Sequence, residues 1–204
     1  MKIDLTSFKE LYPFESHYVK IDGHNVHYVD QGEGEIMVMV HGNPTWSFYF
    51  RHLIEHFSKN YRTIVPDHIG FGMSDKPQDY DYTLEGHIDY FEKFMEKIGA
   101  KNITLVIHDW GGVIGMGYAV RHPENIKRLV ILNTGAFPIP LEYHLPWQLY
   151  MCQIPLLSDL IVKGFNGFVK YAVPLSITHK KRRTAQVQAG YEAPYNNYAN
   201  RVAI

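Results

Sequence analysis

The stretch that decides the fold is Val106-Ile107-His108-Asp109-Trp110-Gly111-Gly112, where an apolar run ends at polar residues and two glycines follow. The run that leads into it, Ile103–Ile107, predicts a strand buried on both faces of a sheet. The small residues of Gly111–Arg121 predict a helix directly after it. A polar side chain at such a strand–turn–helix junction is typical of a nucleophile elbow, in which a tight turn holds a reactive group above the sheet.

Strand and helix patterns alternate on both sides of this junction. Two short extended runs separated by Asp22-Gly23-His24 predict a β-hairpin. Further strands are predicted at Ile36–Val40, Arg62–Pro66 and Leu129–Leu132, and helices at Ser47–Lys59 and Leu84–Ile98. We expect Thr45 or Ser47 to cap the first of these helices, and Thr83 and Gly99 to bound the second. The alternation predicts an α/β fold with a doubly wound, mostly parallel sheet.

The character of the sequence changes at Pro138. From there, prolines interrupt apolar and aromatic stretches and no strand-like run recurs. We therefore expect residues 1–137 to form the core and residues 138–204 to form a separate, mostly helical layer.

Composition excludes several classes of function. The 204 residues include 20 Lys and Arg and 21 Asp and Glu, which gives a net charge of −1. A protein that binds nucleic acid or an anionic membrane is expected to carry an excess of positive charge, and this sequence has none. A single cysteine, Cys152, cannot form an intramolecular disulfide or a Cys-rich zinc site. No apolar run is long enough for a signal peptide or a membrane span. We expect a cytoplasmic protein with no nucleic-acid partner, no membrane span and no metal.

Asp109 is the candidate reactive residue. An aspartate that precedes a helix is more often a helix cap. Asp109, however, also follows the carboxyl end of a predicted strand, and open α/β sheets bind their ligands at that edge, which favours a reactive role. A carboxylate is ionised at pH 7 and needs no base to attack a carbon that bears a good leaving group or lies in a strained ring. The product would be an ester on Asp109. Its hydrolysis would need a water activated by a histidine, and N–H groups to hold the oxyanion.

The segment His41-Gly42-Asn43-Pro44-Thr45-Trp46 follows another buried strand, where this architecture places an oxyanion donor. Asn43 offers a backbone N–H and a side-chain amide, and Trp110 offers an indole N–H. Taken alone, Asn43 is more often a turn residue and Trp110 a core aromatic. Beside Asp109, we interpret both as donors to a leaving anion. The glycine-containing segment Asp67–Pro77 is interpreted as a structural loop with no catalytic role.

Through His41–Trp46, Asp67–Pro77 and His108–Gly112, the sequence resembles the haloalkane dehalogenase family of α/β-hydrolases. The likeness covers about residues 15–204. It implies an α/β-hydrolase fold with an N-terminal β-hairpin, and a helical cap formed by residues 138–204. In that family further core strands, an acid and a base histidine follow the cap, so the resemblance implies a C-terminally truncated chain whose acid and base lie beyond residue 204.

The resemblance also assigns roles to individual residues. It implies that Asp109 is the nucleophile, that Asn43 and Trp110 hold the halide, and that their backbone N–H groups form the oxyanion hole. His41 and His108 flank these groups and are expected to support them rather than to act as the base. No cofactor is implied.

Three functions are compatible with these residues. The first is cleavage of a carbon–halogen bond through an ester on Asp109. The second also uses Asp109 as the nucleophile but acts on a β-lactone, giving an alkene and CO2. One branch of the family carries its catalytic acid at the position of Asn133, and asparagine cannot be that acid. The sequence therefore resembles the third subfamily, which includes such decarboxylases. The third is a fragment that binds a ligand without turnover. The expected partner is a small apolar substrate, a haloalkane or a β-lactone, and the oligomeric state is left open.

Overall fold

The computed structural model describes residues 3–136, 154 and 157–204. Its strands are β1 His17–Ile21, β2 His24–Gln31, β3 Glu35–Val40, β4 Tyr61–Pro66, β5 Ile103–His108 and β6 Ile126–Leu132. They form one sheet in the order β1-β2-β4-β3-β5-β6. Strands β4, β3, β5 and β6 are parallel to one another, whereas β1 and β2 add to this sheet in antiparallel fashion. The predicted α/β class and mostly parallel sheet are confirmed.

Helices cover the sheet and make up the ordered structure of residues 157–204. The α-helices are α1 Arg51–Phe57, α2 Leu84–Ile98, α3 Trp110–Arg121, α4 Val173–Ser176 and α5 Ala185–Glu192. Shorter 3₁₀ turns lie at Thr6–Leu11, Ser47–Phe50, Pro123–Asn125, Lys180–Arg182, Ala193–Tyr195 and Ala199–Arg201, and π-helical turns at Asp159–Gly164 and Phe168–Ala172. None of the described helices is long and apolar enough to cross a membrane. The predicted boundary between residues 137 and 138 and the side chain of Cys152 lie outside the described residues.

The uninterrupted apolar runs of β3 and β5 arise because both faces of the sheet are covered. The side chains of Met39 and Val106 pack in one hydrophobic core, together with residues of the N-terminal 3₁₀ turn and of the helical segments after residue 157. Val38, Val40 and Ile107 enter a second core on the opposite face, against α2 and α3. Fully burying such a side chain contributes about 1.5–3 kcal/mol. Since neither face of these strands meets water, their sequences show no polar alternation.

The predicted hairpin is confirmed, and its turn has a local cause. Asp22 and Gly23 both have positive φ, at 49° and 89°. Two consecutive residues with positive φ make the tight turn whose twist matches that of paired antiparallel strands. Strand β2 then pairs with β4 as well, so the hairpin extends the parallel sheet at one end.

The predicted ends of α2 are confirmed. The Thr83 side chain accepts the backbone N–H of Gly86, and Gly99 ends the helix at φ 66°. These are the two commonest ways to satisfy the free backbone groups at helix ends.

The predicted cap of the first helix is wrong. The hydroxyl of Thr45 donates to the Gly42 carbonyl, and that of Ser47 hydrogen-bonds with Tyr12. The Ser47 N–H instead donates to the carboxylate of Asp67 at 2.7 Å. The hydrogen bond at the start of this helical segment is therefore made by Asp67, a residue distant in sequence, and not by Thr45 or Ser47.

Strand β6 lies at the edge of the described sheet. No strand among the described residues pairs with its outer side. Ile131 is consequently 56% exposed, although its sequence has the apolar character of the buried strands.

Candidate active site

Asp109 occupies a sharp turn between β5 and α3. Its backbone lies at φ 53° and ψ −130°, a region that residues other than glycine rarely adopt. The side chain makes no capping hydrogen bond to α3, which rules out the alternative that Asp109 serves as a helix cap. Its Oδ1 atom instead accepts the backbone N–H of Asn43 at 2.9 Å. The turn therefore directs the carboxylate toward the loop that follows β3.

Two glycines allow this close approach. A Cβ atom on Gly111 would lie 2.2 Å from the carbonyl oxygen of Val40, and one on Gly42 would lie 2.1 Å from Asp109 Oδ1. Both separations are shorter than non-bonded atoms tolerate. The contact between the loop and the elbow thus requires that neither residue carries a side chain.

Thr134 fixes the elbow from the opposite side. Its hydroxyl donates to the carbonyl oxygen of Asp109 at 2.6 Å. A Cβ atom on Gly112 would lie 1.8 Å from that hydroxyl, so this glycine is also needed. Sequence reasoning missed Thr134. The available signal was its place just past β6, because the carboxyl ends of adjacent parallel strands share one edge of the sheet.

His41 and His68 position the loop that carries Asn43. The Nδ1–H of His41 donates to the Gly42 carbonyl at 3.0 Å, and its Nε2 accepts the His68 backbone N–H at 3.0 Å. His68 Nε2–H in turn donates to the His41 carbonyl at 3.1 Å. Burial lowers the pKa of both imidazoles, that of His68 well below its ordinary value. Both rings are therefore neutral supports of the loop.

His108, directly before Asp109, packs against Tyr49. The two rings are stacked, with centroids 4.3 Å apart and planes inclined by 20°. The Nδ1 atom of His108 is buried and has no hydrogen-bond partner among the described residues. Burial lowers the pKa of this imidazole. His108 therefore stands beside the carboxylate as a neutral group.

The predicted residues line two neighbouring cavities. Asp109, Asn43 and His108 line a cavity of about 420 Å³. Asn43 also lines a smaller cavity of about 40 Å³ with Trp110. Trp110 is 46% exposed, which rules out the alternative that it is a core aromatic. Asn133, which cannot serve as an acid, also borders the larger cavity. Among residues 3–136, 154 and 157–204, no group of three His, Cys, Asp or Glu side chains is placed to hold a metal ion.

Asp67 is the buried centre of the loop that sequence analysis interpreted as structural. Its carboxylate accepts hydrogen bonds from the Nδ1 atom of His27 and from the backbone N–H groups of Ser47 and Met73, at 2.7 to 2.8 Å. Burial opposes its ionisation, but His27 and these hydrogen bonds lower the pKa of Asp67 below its usual value. The loop holds three elements together and does not reach the larger cavity.

His87 predicts acid sensitivity of the fold. It packs against His68 and the rings of Phe71, Tyr80 and Tyr82. Burial, followed by the nearby His41, lowers its pKa from 6.5 to about 4. Between these two pH values the unfolded chain binds a proton that the folded chain does not, so stability falls as the pH falls. We expect His87 alone to remove about 3 kcal/mol from the free energy of unfolding over this range.

The measurement is urea unfolding at pH 7 and at pH 4 for the wild type and for His87→Phe. The loss between the two pH values should be smaller in the variant by about 3 kcal/mol. Because each protein is compared with itself, a packing defect common to both pH values cancels. An identical loss in the two proteins would contradict the prediction.

Comparisons with known proteins agree with this fold. A family model described as the alpha/beta hydrolase fold matches residues 35–171. A cis-3-alkyl-4-alkyloxetan-2-one decarboxylase of Shewanella oneidensis is 49% identical over 95% of this chain and 61% of its own length. Haloalkane dehalogenase 2 of Mycobacterium tuberculosis is 32% identical over the whole chain and 70% of its own length. The crystal structure of haloalkane dehalogenase DatA from Agrobacterium tumefaciens C58 matches with a TM-score of 0.81 and 26% identity, covering 93% of this chain and 65% of that one.

The chain spans about three fifths of the length of the decarboxylase that it matches. Within that span, the strand order brings the turn at Asp109 and the Asn43 loop to the same edge of the sheet. The chain therefore belongs to the α/β-hydrolase fold family and, within it, to the group of haloalkane dehalogenase-like enzymes that includes the oxetan-2-one decarboxylases.

Proposed function

We propose that the protein is a β-lactone decarboxylase in which Asp109 is the nucleophile and a cis-3-alkyl-4-alkyloxetan-2-one is the substrate. The observation that carries the proposal is the geometry of Asp109. Its carboxylate does not cap its own helix, is held by the Asn43 N–H, and borders a cavity of about 420 Å³. A carboxylate in this position is available to attack a carbon atom of a bound substrate.

The lactone is favoured over a haloalkane for two reasons. Identity to the Shewanella oneidensis decarboxylase is 49%, against 32% to the mycobacterial dehalogenase. The cavity at Asp109 is also bordered by the apolar side chains of Phe168, Val173 and Ile177, which suit alkyl arms. The order of preference inferred from sequence, with carbon–halogen cleavage first, is thereby reversed.

The chemistry balances without a co-reactant. One oxygen of Asp109 attacks the saturated, alkyl-bearing ring carbon that is bonded to the ring oxygen, and the bond between that carbon and the ring oxygen breaks with its electron pair on the oxygen. The opened product is an ester of Asp109 with a free carboxylate on the adjacent carbon. Loss of CO2 from that carbon forms the alkene and expels the Asp109 carboxylate. Inversion in the first step and anti elimination in the second make the cis alkene from the cis lactone.

The remaining site residues have supporting roles in this proposal. The backbone N–H of Asn43 orients the attacking carboxylate through the 2.9 Å hydrogen bond to Oδ1. The Asn43 amide and the Trp110 indole supply donors for departing negative charge. His41 holds the Asn43 loop, and His108 keeps a neutral surface beside Asp109.

Haloalkane hydrolysis is the second candidate. The observation in its favour is that Asn43 and Trp110 border one small cavity of about 40 Å³, a size that suits a single halide. In this reaction the carbon–halogen bond breaks as the Asp109 ester forms, and water then hydrolyses the ester to an alcohol.

The test is an assay of the intact natural protein with a cis dialkyl β-lactone and, separately, with bromoalkanes. We expect gas chromatography to detect the cis alkene, together with CO2, at a rate above that of bromide release. Lactone that survives incubation unchanged would refute the decarboxylase assignment. Bromide release without lactone turnover would establish the second candidate in its place.

A further inference from the structure

Tyr49 holds a fixed position beside the proposed nucleophile. It lies on the 3₁₀ turn Ser47–Phe50 that follows the Asn43 loop, and it borders the same cavity as Asp109. Its ring stacks on His108 with centroids 4.3 Å apart. Because His108 is bonded directly to Asp109, the phenol ring is held in place relative to the carboxylate.

The hydroxyl of Tyr49 is free to bind a ligand. It makes no hydrogen bond to any residue in the part of the chain that the structure describes. Burial, together with the nearby Tyr191 and Asp109, raises the pKa of Tyr49 to about 12. The phenol is therefore protonated at neutral pH and can donate a hydrogen bond.

This donor differs in place from the indole of Trp110. Trp110 faces the smaller cavity, whereas Tyr49 faces the larger one. A haloalkane carries no oxygen that could accept a hydrogen bond from Tyr49. A β-lactone carries two, and ring opening places negative charge on the ring oxygen. A donor aimed at developing charge lowers the barrier more than it strengthens substrate binding.

We propose that the Tyr49 hydroxyl donates a hydrogen bond to the lactone ring oxygen as the carbon–oxygen bond breaks, which makes Tyr49 a catalytic residue that selects lactones over haloalkanes. The proposal rests on the decarboxylase function proposed above. No proton is transferred: the new bond joins an Asp109 oxygen to the ring carbon, the electron pair of the broken bond goes to the ring oxygen, and the phenol keeps its proton.

The test compares kcat and KM for a cis dialkyl β-lactone among the wild type, Tyr49→Phe and Tyr198→Phe. Tyr49→Phe keeps the ring on His108 and removes only the hydroxyl. We expect kcat to fall about 10- to 100-fold with KM changed far less, since one donor to a developing oxyanion is removed. Tyr198 is 57% exposed, so Tyr198→Phe is the matched control and should keep wild-type kinetics.

The possible outcomes are distinct. Wild-type kcat and KM in Tyr49→Phe, with an active wild type, would overturn the role of Tyr49 and leave the decarboxylase function standing. A wild type that leaves the lactone intact would overturn both. A change in KM alone would also reject the proposal, because it would show that the hydroxyl binds the substrate without acting on the bond that breaks. Thermal unfolding of Tyr49→Phe at the wild-type temperature excludes a folding defect as the cause.

Discussion

Asp109→Asn is expected to lower kcat for lactone decarboxylation by about 10⁴-fold or more, the scale seen when an enzyme loses its nucleophile. An amide attacks carbon far less readily than a carboxylate, so the ester with the substrate would not form. The change is nearly isosteric, and the side-chain oxygen can still accept the Asn43 N–H. Asparagine and aspartate share the same raised tolerance of positive φ, so the strain at this turn should change little. The fold should therefore persist while the chemistry stops.

The measurement is alkene formation by the purified variant under saturating lactone, with thermal unfolding as the check on folding. Asp79 is exposed, so Asp79→Asn is the matched control and should be as active as the wild type. Turnover by Asp109→Asn close to that of Asp79→Asn would show that another group attacks the substrate. It would then remove Asp109 from the mechanism.

Gly42→Ala is expected to lower kcat/KM by about 100-fold or more. The added methyl group would lie 2.1 Å from Asp109 Oδ1 and 2.3 Å from Asp109 Cβ. The loop or the carboxylate must move to relieve this clash, and a displacement of about 1 Å from productive geometry costs roughly 100-fold in rate. The Asn43 N–H would lose its hydrogen bond in the same movement. The effect should appear mainly in kcat, because Gly42 does not line the larger cavity.

Gly135→Ala is the matched control, since a Cβ atom at Gly135 would meet no atom within 4 Å. Both variants remove the same backbone freedom, but only one places a methyl group against the carboxylate. Equal activity in the two would show that the Asn43 loop can retreat without consequence. The hydrogen bond between Asn43 and Asp109 would then have no part in catalysis.

The Asn43 loop and the elbow at Asp109 are held by two kinds of contact that differ in their response to pH. The loop that carries Asn43 is held by His41 and His68, both neutral because burial lowers their pKa values. The elbow itself is held by the Thr134 hydroxyl, which does not titrate. Protonation of His41 at Nε2 would place a positive N–H against the N–H of His68. A fall in pH should therefore disturb the Asn43 loop before it disturbs the elbow at Asp109.

Much of the fold was predictable because its signals are local. The apolar runs of β3 and β5 reflect burial on both faces of a sheet. The turn at Asp22-Gly23 and the ends of α2 at Thr83 and Gly99 follow from backbone preferences of single residues. The signal for the candidate nucleophile was local as well. A polar residue between an apolar strand and a pair of glycines pointed to Asp109 without knowledge of the residues that surround it in space.

Most contacts around Asp109 were decided by tertiary structure, although the sequence motifs had already pointed to Asn43. Asn43 is 66 residues from Asp109 in sequence, and Thr134 is 25 residues away. The stack of Tyr49 on His108 and the capping of Ser47 by Asp67 are likewise contacts between separate elements. Strand order and register bring these groups together, and periodicity within one segment carries no information about either. The sequence by itself therefore indicated which carboxylate is the candidate nucleophile, whereas the packing of β3, β5 and β6 decided which groups hold it and which cavity it faces.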